Sequence, residues 1–127
     1  MSYAISKTVS SDMTTTEARV REELQKEGFG VLTEIDMQAT LKKKLDADIR
    51  PYKILGACNP PFALKSLQAE DYIGLMLPCN VLLQQRDSGV EVSAIDPVAS
   101  MMAVKNPQLE ATAAEVREKL KRVIAAL

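Results

Sequence analysis

Apolar and polar residues alternate with a period of two where Tyr3, Ile5, Lys7 and Val9 face Ala4, Ser6, Thr8 and Ser10, the pattern of a strand with one buried face. Thr14 followed by Glu17 fits a capping box, after which Met13, Val20 and Leu24 mark an apolar helix face that Gly28 terminates. Phe29, Val31, Thr33 and Ile35 form a second alternating run. Asp36 is placed to cap a helix carrying Met37, Leu41, Leu45 and Ile49, which ends at Pro51. The chain therefore opens strand, helix, strand, helix.

Tyr52, Ile54, Gly56 and Cys58 alternate against Lys53, Leu55, Ala57 and Asn59, predicting a third strand. Asn59 as a cap, with Pro60-Pro61 in the first turn, then opens a helix that carries Phe62, Leu64 and Leu67. Cys79 to Arg86 and Val90 to Ile95 read as strands joined through Asp87-Ser88-Gly89, where glycine accommodates the turn of a hairpin. Asp96-Pro97 starts a short helical segment around Met101 and Met102, and Asn106-Pro107 repeats the cap-then-proline signal. The last helix has the plainest stripe: Leu109, Val116, Leu120, Val123 and Leu127 share a face, with Glu115, Arg117, Glu118, Lys119 and Lys121 elsewhere. No Pro-, Gly- or Ser-rich linker and no repeat divides residues 1–127, so the pattern predicts one α+β domain, an antiparallel or mixed sheet backed by helices.

Composition narrows the function more than it defines it. A chain of 127 residues with 46% hydrophobic and 26% charged residues has the material for one core and no reason to be disordered. Sixteen Lys+Arg against seventeen Asp+Glu leave a formal charge of -1, which weighs against nucleic acid, whose phosphates demand a basic surface. The basic cluster Lys42-Lys43-Lys44 reads as a solvated helix face. The N-terminal residues lack a signal-peptide pattern, and Tyr72 to Leu83, the most apolar stretch, falls short of the roughly 20 residues that span a membrane. The expectation is a cytoplasmic protein with two reduced thiols and no disulfide framework. There is no histidine, which removes Ser-His-Asp and Cys-His catalysis and imidazole metal sites.

Two Cys-Asn dipeptides are the candidate chemistry: Cys58-Asn59-Pro60 at the end of one predicted strand and Pro78-Cys79-Asn80 at the start of another. Were those strands neighbours, both thiols would lie on one rim of the sheet. Such a rim suits inert buried thiols, a reactive or persulfide-carrying thiol helped by the helix that Asn59 opens, or a soft-metal site completed by further ligands. Met101-Met102 reads as core. Glu34, Asp36, Glu70 and Asp71 sit at element ends, where solvation and capping account for them. No phosphate-binding glycine loop, CxxC or calcium loop is present.

The segments Gly28-Phe29-Gly30-Val31-Leu32-Thr33-Glu34-Ile35-Asp36, Tyr52-Lys53-Ile54-Leu55-Gly56-Ala57-Cys58-Asn59-Pro60 and Leu77-Pro78-Cys79-Asn80-Val81 resemble the signature segments of the domain of unknown function 302 family, in the family's order. The resemblance spans nearly the whole chain. It implies a TATA-box-binding-protein-like α+β fold, a curved, mainly antiparallel sheet with helices on one face, and it carries no settled activity. Cys58, Asn59, Pro60, Pro78, Cys79 and Asn80 match its motif positions without assigned roles. Met13-Thr14-Thr15-Thr16 departs from the proline and aromatic residue of the family's first helix.

The reading that follows is a non-enzymatic accessory domain. It binds a small ligand or a protein partner where the Cys-Asn segments meet, needs no cofactor or metal, and pairs as a homodimer through its sheet edges. The alternative is a thiol protein that carries persulfide sulfur or a soft metal on Cys79 or Cys58.

Overall fold

The computed structural model describes residues 2–127. Its elements are β1 (Ala4–Val9), α1 (Met13–Lys26), β2 (Gly30–Asp36), α2 (Met37–Leu45), β3 (Tyr52–Cys58), α3 (Pro60–Ala69), β4 (Cys79–Arg86), β5 (Gly89–Ile95), α4 (Pro97–Ser100) and α5 (Pro107–Ala125), with a 3₁₀ turn over Asp71–Met76 before β4. The strands form one sheet in the order β1-β5-β4-β3-β2, with every neighbouring pair antiparallel. Period-two alternation sends Leu55, Ala57, Cys79, Val81, Leu83, Val90, Val92 and Ala94 to one face, where they are buried. The apolar stripes of α1 (Val20, Leu24) and α5 (Val116, Leu120, Val123, Ile124) close over that face as a single core. The opposite face carries a row of paired positions, Ser6, Ser93, Leu82, Ile54 and Ile35, of which Ser6 and Ile35 are exposed, Leu82 and Ile54 half-buried and Ser93 buried.

Polar contacts pin these layers. The Lys53 ammonium on β3 donates to both Glu17 of α1 and Glu34 of β2 at 2.7 Å, and Arg21 reaches the same two carboxylates. Glu17 first, then Glu34, holds the Lys53 ammonium above its ordinary pKa. At the far end of α5, Lys7 donates to the carbonyls of Ala125 and Leu127, and Arg19 to that of Ala126.

Several local expectations need correction. The cap of α1 is Asp12, whose carboxylate accepts from the Thr15 N–H at 2.6 Å. The Thr14 box does not form, because the helix has begun by Met13. A bulge between Val31 and Thr33 breaks the alternation of β2, so Phe29 enters the core while Leu32 and Ile35 are exposed. Helix α2 stops at Leu45 rather than running to Pro51: Asp46 takes a left-handed conformation, and the Asp46 and Ala47 N–H groups close onto Lys42 and Leu41 carbonyls. Leu64 and Leu67 of α3 and Tyr3 before β1 are exposed, not core. Asp36 does cap α2, and Asn106 caps α5, each through its side-chain oxygen.

Candidate functional site

Antiparallel pairing of β3 with β4 places Ala57 opposite Cys79, so the end of one strand lies beside the start of the other. The two Cys-Asn segments thereby meet at one end of the sheet. Above them α3, α4 and α5 do not close fully, and a cavity of about 290 Å³ remains. Ala57, Cys58, Pro78 and Cys79 form its sheet side, and Phe62, Ala63, Met101 and Val116 belong to its helical side. Among the described residues, no charged side chain lines it.

Of the six motif residues, Cys58, Asn59, Pro78 and Cys79 line this cavity. Pro60 and Asn80 do not: Pro60 is exposed in the first turn of α3, and Asn80 is exposed on β4. The carboxylates stand apart as well. Glu34 is held by Lys53 and Arg21, and the Asp36 side chain caps α2.

Asn59 occupies the cap position of α3 without acting as a side-chain cap, a correction to the sequence reading. An N-cap oxygen bonds the N–H of the second or third helical residue; the second here is Pro61, which has none, and the Asn59 side chain does not take up that of the third, Phe62. The Asn59 amide turns instead toward α1, where its Nδ2 donates to the Glu27 carbonyl at 3.2 Å. That carbonyl is presented by the end of α1. Gly28, with φ at +85°, lets the Gly28 N–H reach the Gln25 carbonyl and the Phe29 N–H the Leu24 carbonyl. A Cβ on Gly28 would lie 3.2 Å from Asn59 Nδ2, so the bare glycine also makes room for the amide. The first and second motifs are thus physically joined.

The thiols differ. Both are free, Cys58 half-buried and Cys79 buried. Desolvation, with a smaller contribution from the neighbouring Cys58, pushes the Cys79 pKa up to about 11. At neutral pH Cys79 is a protonated, apolar wall of the cavity. In native protein treated with iodoacetamide at pH 8, Cys58 is expected to be alkylated while Cys79 stays unmodified until urea unfolds the chain. Peptide mass spectrometry reads the two sites separately, and equal labelling would mean that the cavity wall around Cys79 is open.

Sequence reasoning missed Ala63, Ser66, Leu77, Thr112 and Ala113 as cavity residues. The usable signal was residue size. On the buried stripe of α5 the step from Leu109 to Val116 passes through Ala113, too small to fill the space toward α3.

A helix-backed antiparallel sheet whose paired strand ends carry Cys-Asn segments onto one apolar cavity defines the class of protein. The family model described as Domain of unknown function DUF302 matches residues 5–127, and the chain belongs to this family. A solved structure titled "Crystal structure of uncharacterized conserved protein DUF302 from Bacillus stearothermophilus" is similar over 98% of each chain, at 28% sequence identity and a TM-score of 0.92. No curated protein matches the chain. Among the described residues, no helix is long and apolar enough to cross a membrane.

Proposed function

We propose that the domain is a non-enzymatic accessory module that holds a small apolar ligand in the cavity beside Cys58 and Cys79. The cavity carries this reading: about 290 Å³ of space that no charged side chain of the described residues lines. An apolar cavity of about 150 Å³ is enough to take benzene, so a space of this size suits one or two fused rings. Toluene added to the protein is expected to raise its thermal midpoint by mass action, since it binds the folded state alone. Ala63→Phe, which fills the space from α3, is expected to abolish that rise. A midpoint that toluene leaves unchanged in the native protein would remove this reading.

A thiol carrier of persulfide or a soft metal is the second reading, favoured by the two thiols sharing one cavity. The protonated state of Cys79 weighs against it, because thiolate is the metal ligand and the nucleophile. Mass spectrometry of protein purified without reductant separates the two: an added sulfur on Cys58 supports carriage, and unmodified thiols support the apolar-ligand reading.

The same proposal places the domain in the cytoplasm, assigns its sheet to the TATA-box-binding-protein-like class, and makes it a homodimer. Two sheet edges, β1 and β2, and the exposed side chain of Ile35 on β2 support self-association. Sedimentation at tens of micromolar is expected to give twice the 13.9 kDa chain mass. A monomer there would overturn the dimer without touching the cavity.

A further inference from the structure

The cavity contains one polar feature that its apolar lining does not explain. Asn59 is 8% exposed, so more than nine-tenths of it is buried, and it lines the cavity. Its Nδ2 is committed to the Glu27 carbonyl, and that bond fixes which end of the amide is oxygen. Among the described residues no backbone or side-chain donor reaches the Asn59 Oδ1. The oxygen is not sealed off, since among the described residues the fully enclosed side-chain polar atoms without a hydrogen bond are Thr16 Oγ1 and Arg117 Nε, the latter ion-paired with Asp96 at 3.2 Å. The other polar groups of the lining are disposed differently. The Ser66 hydroxyl donates back to the Phe62 carbonyl at 2.8 Å, and Thr112 is half-exposed on α5. The Lys65 and Lys119 ammoniums lie 5.5 and 5.9 Å from the Phe62 ring centroid, and neither residue belongs to the lining.

From this geometry we infer that the ligand is a small neutral molecule with a flat apolar body and one hydrogen-bond donor, a hydroxyl or N–H, which it gives to Asn59 Oδ1. The inference rests on the cavity reading above and adds the ligand's polar end. A buried acceptor left unpaired is costly, so a donor placed there is favoured over an apolar edge, and an acceptor placed there is repelled. A charged ligand is disfavoured on the same physical ground, since no side chain of the lining carries a charge to pair with a carboxylate, phosphate or ammonium taken out of water. The body of the ligand lies against Phe62, Met101 and Val116, and Cys58 borders the same space, so occupancy shields its thiol.

Indole and benzofuran test this directly, being close in shape with an N–H donor in one and an oxygen acceptor in the other. In titrations followed by amide chemical shifts, indole is expected to bind about tenfold more tightly than benzofuran, the difference a hydrogen bond to a buried neutral acceptor makes. Indole is also expected to slow the alkylation of Cys58. Asn59→Leu is expected to bring the two affinities together by weakening indole and strengthening benzofuran. Should that variant fail to fold, the ratio in the native protein decides. Equal affinities in the native protein would overturn the donor assignment and leave an undirected apolar cavity standing. Failure of both probes to bind, or undiminished binding of both to Ala63→Phe, would overturn the cavity reading and the donor assignment with it.

Discussion

Leu120→Ala is expected to lower the stability of the domain by about 2–5 kcal/mol, the usual range for truncating a fully buried leucine to alanine. Leu120 has no exposed surface and sits in the core cluster that also holds Val20 and Leu24 of α1 and the buried face of the sheet. Collapse around the missing atoms is restricted. Helix α5 is fixed at its start by Asn106, whose Nδ2 donates to the Ala69 carbonyl and whose Oδ1 accepts from Gln108, and at its end by Lys7 and Arg19. The sheet beneath is tied into a continuous antiparallel ladder. A void left there stays largely open, which places the expected cost toward the upper part of the range. Lys121→Ala is the control: Lys121 is exposed and its ion pair with Glu118 is a surface contact, so the change is expected to stay within about 0.5 kcal/mol. Urea unfolding of both variants measures the difference. A Leu120→Ala loss no larger than that of Lys121→Ala would mean that α5 does not cover the core.

Gly89→Ala is the second large effect. Asp87-Ser88 is a two-residue turn between Arg86 and Gly89, which pair across the β4–β5 hairpin. Gly89 has φ at +138°, a region that side-chain-bearing residues avoid, and holding alanine there costs about 1–3 kcal/mol in backbone strain alone. A Cβ at this position would also run into the Val9 carbonyl, 2.9 Å from its carbon and closer still to its oxygen. Both obstacles are backbone. Neither can rotate away, so the β1–β5 pairing has to open at Val9 and Val90. Gly74→Ala in the 3₁₀ turn is the comparison, because a Cβ there meets nothing within 4 Å and no positive φ is involved. It is expected to be neutral or slightly stabilising through the unfolded state. Thermal unfolding of the pair tests the assignment, and matching midpoints would show that the turn tolerates a side chain by rearranging.

The strand and helix order was legible because each element writes its own period into the chain. The stripe of α5, the alternation of β3 and the hairpin turn are short-range patterns, and the cap residues Asp36, Asp96 and Asn106 act on N–H groups two or three positions away. The places where the pattern misled share a cause. The bulge of β2 shifts the phase of its alternation, and the early stop of α2 comes from Asp46 adopting a conformation that asparagine or glycine would have announced more clearly. Leu64 and Leu67 read as apolar helix positions, yet both are exposed, with Leu67 at the border of the cavity.

By itself the sequence determined the class of domain, the absence of histidine chemistry, the unfavourable charge balance for nucleic acid, and the two Cys-Asn segments as the positions to watch. It also carried the family, through three segments in order. What the tertiary structure decided is what those segments do to one another. Pairing of Ala57 with Cys79 brings them onto one rim, the Asn59 amide bonds the Glu27 carbonyl beside the bare Gly28 instead of capping its own helix, and the small side chains at Ala63 and Ala113 leave space between α3 and α5. A cavity is a property of volumes from distant parts of the chain failing to meet. No local period records it, since each residue that borders it obeys its own helix or strand pattern whether or not a neighbour arrives to fill the gap.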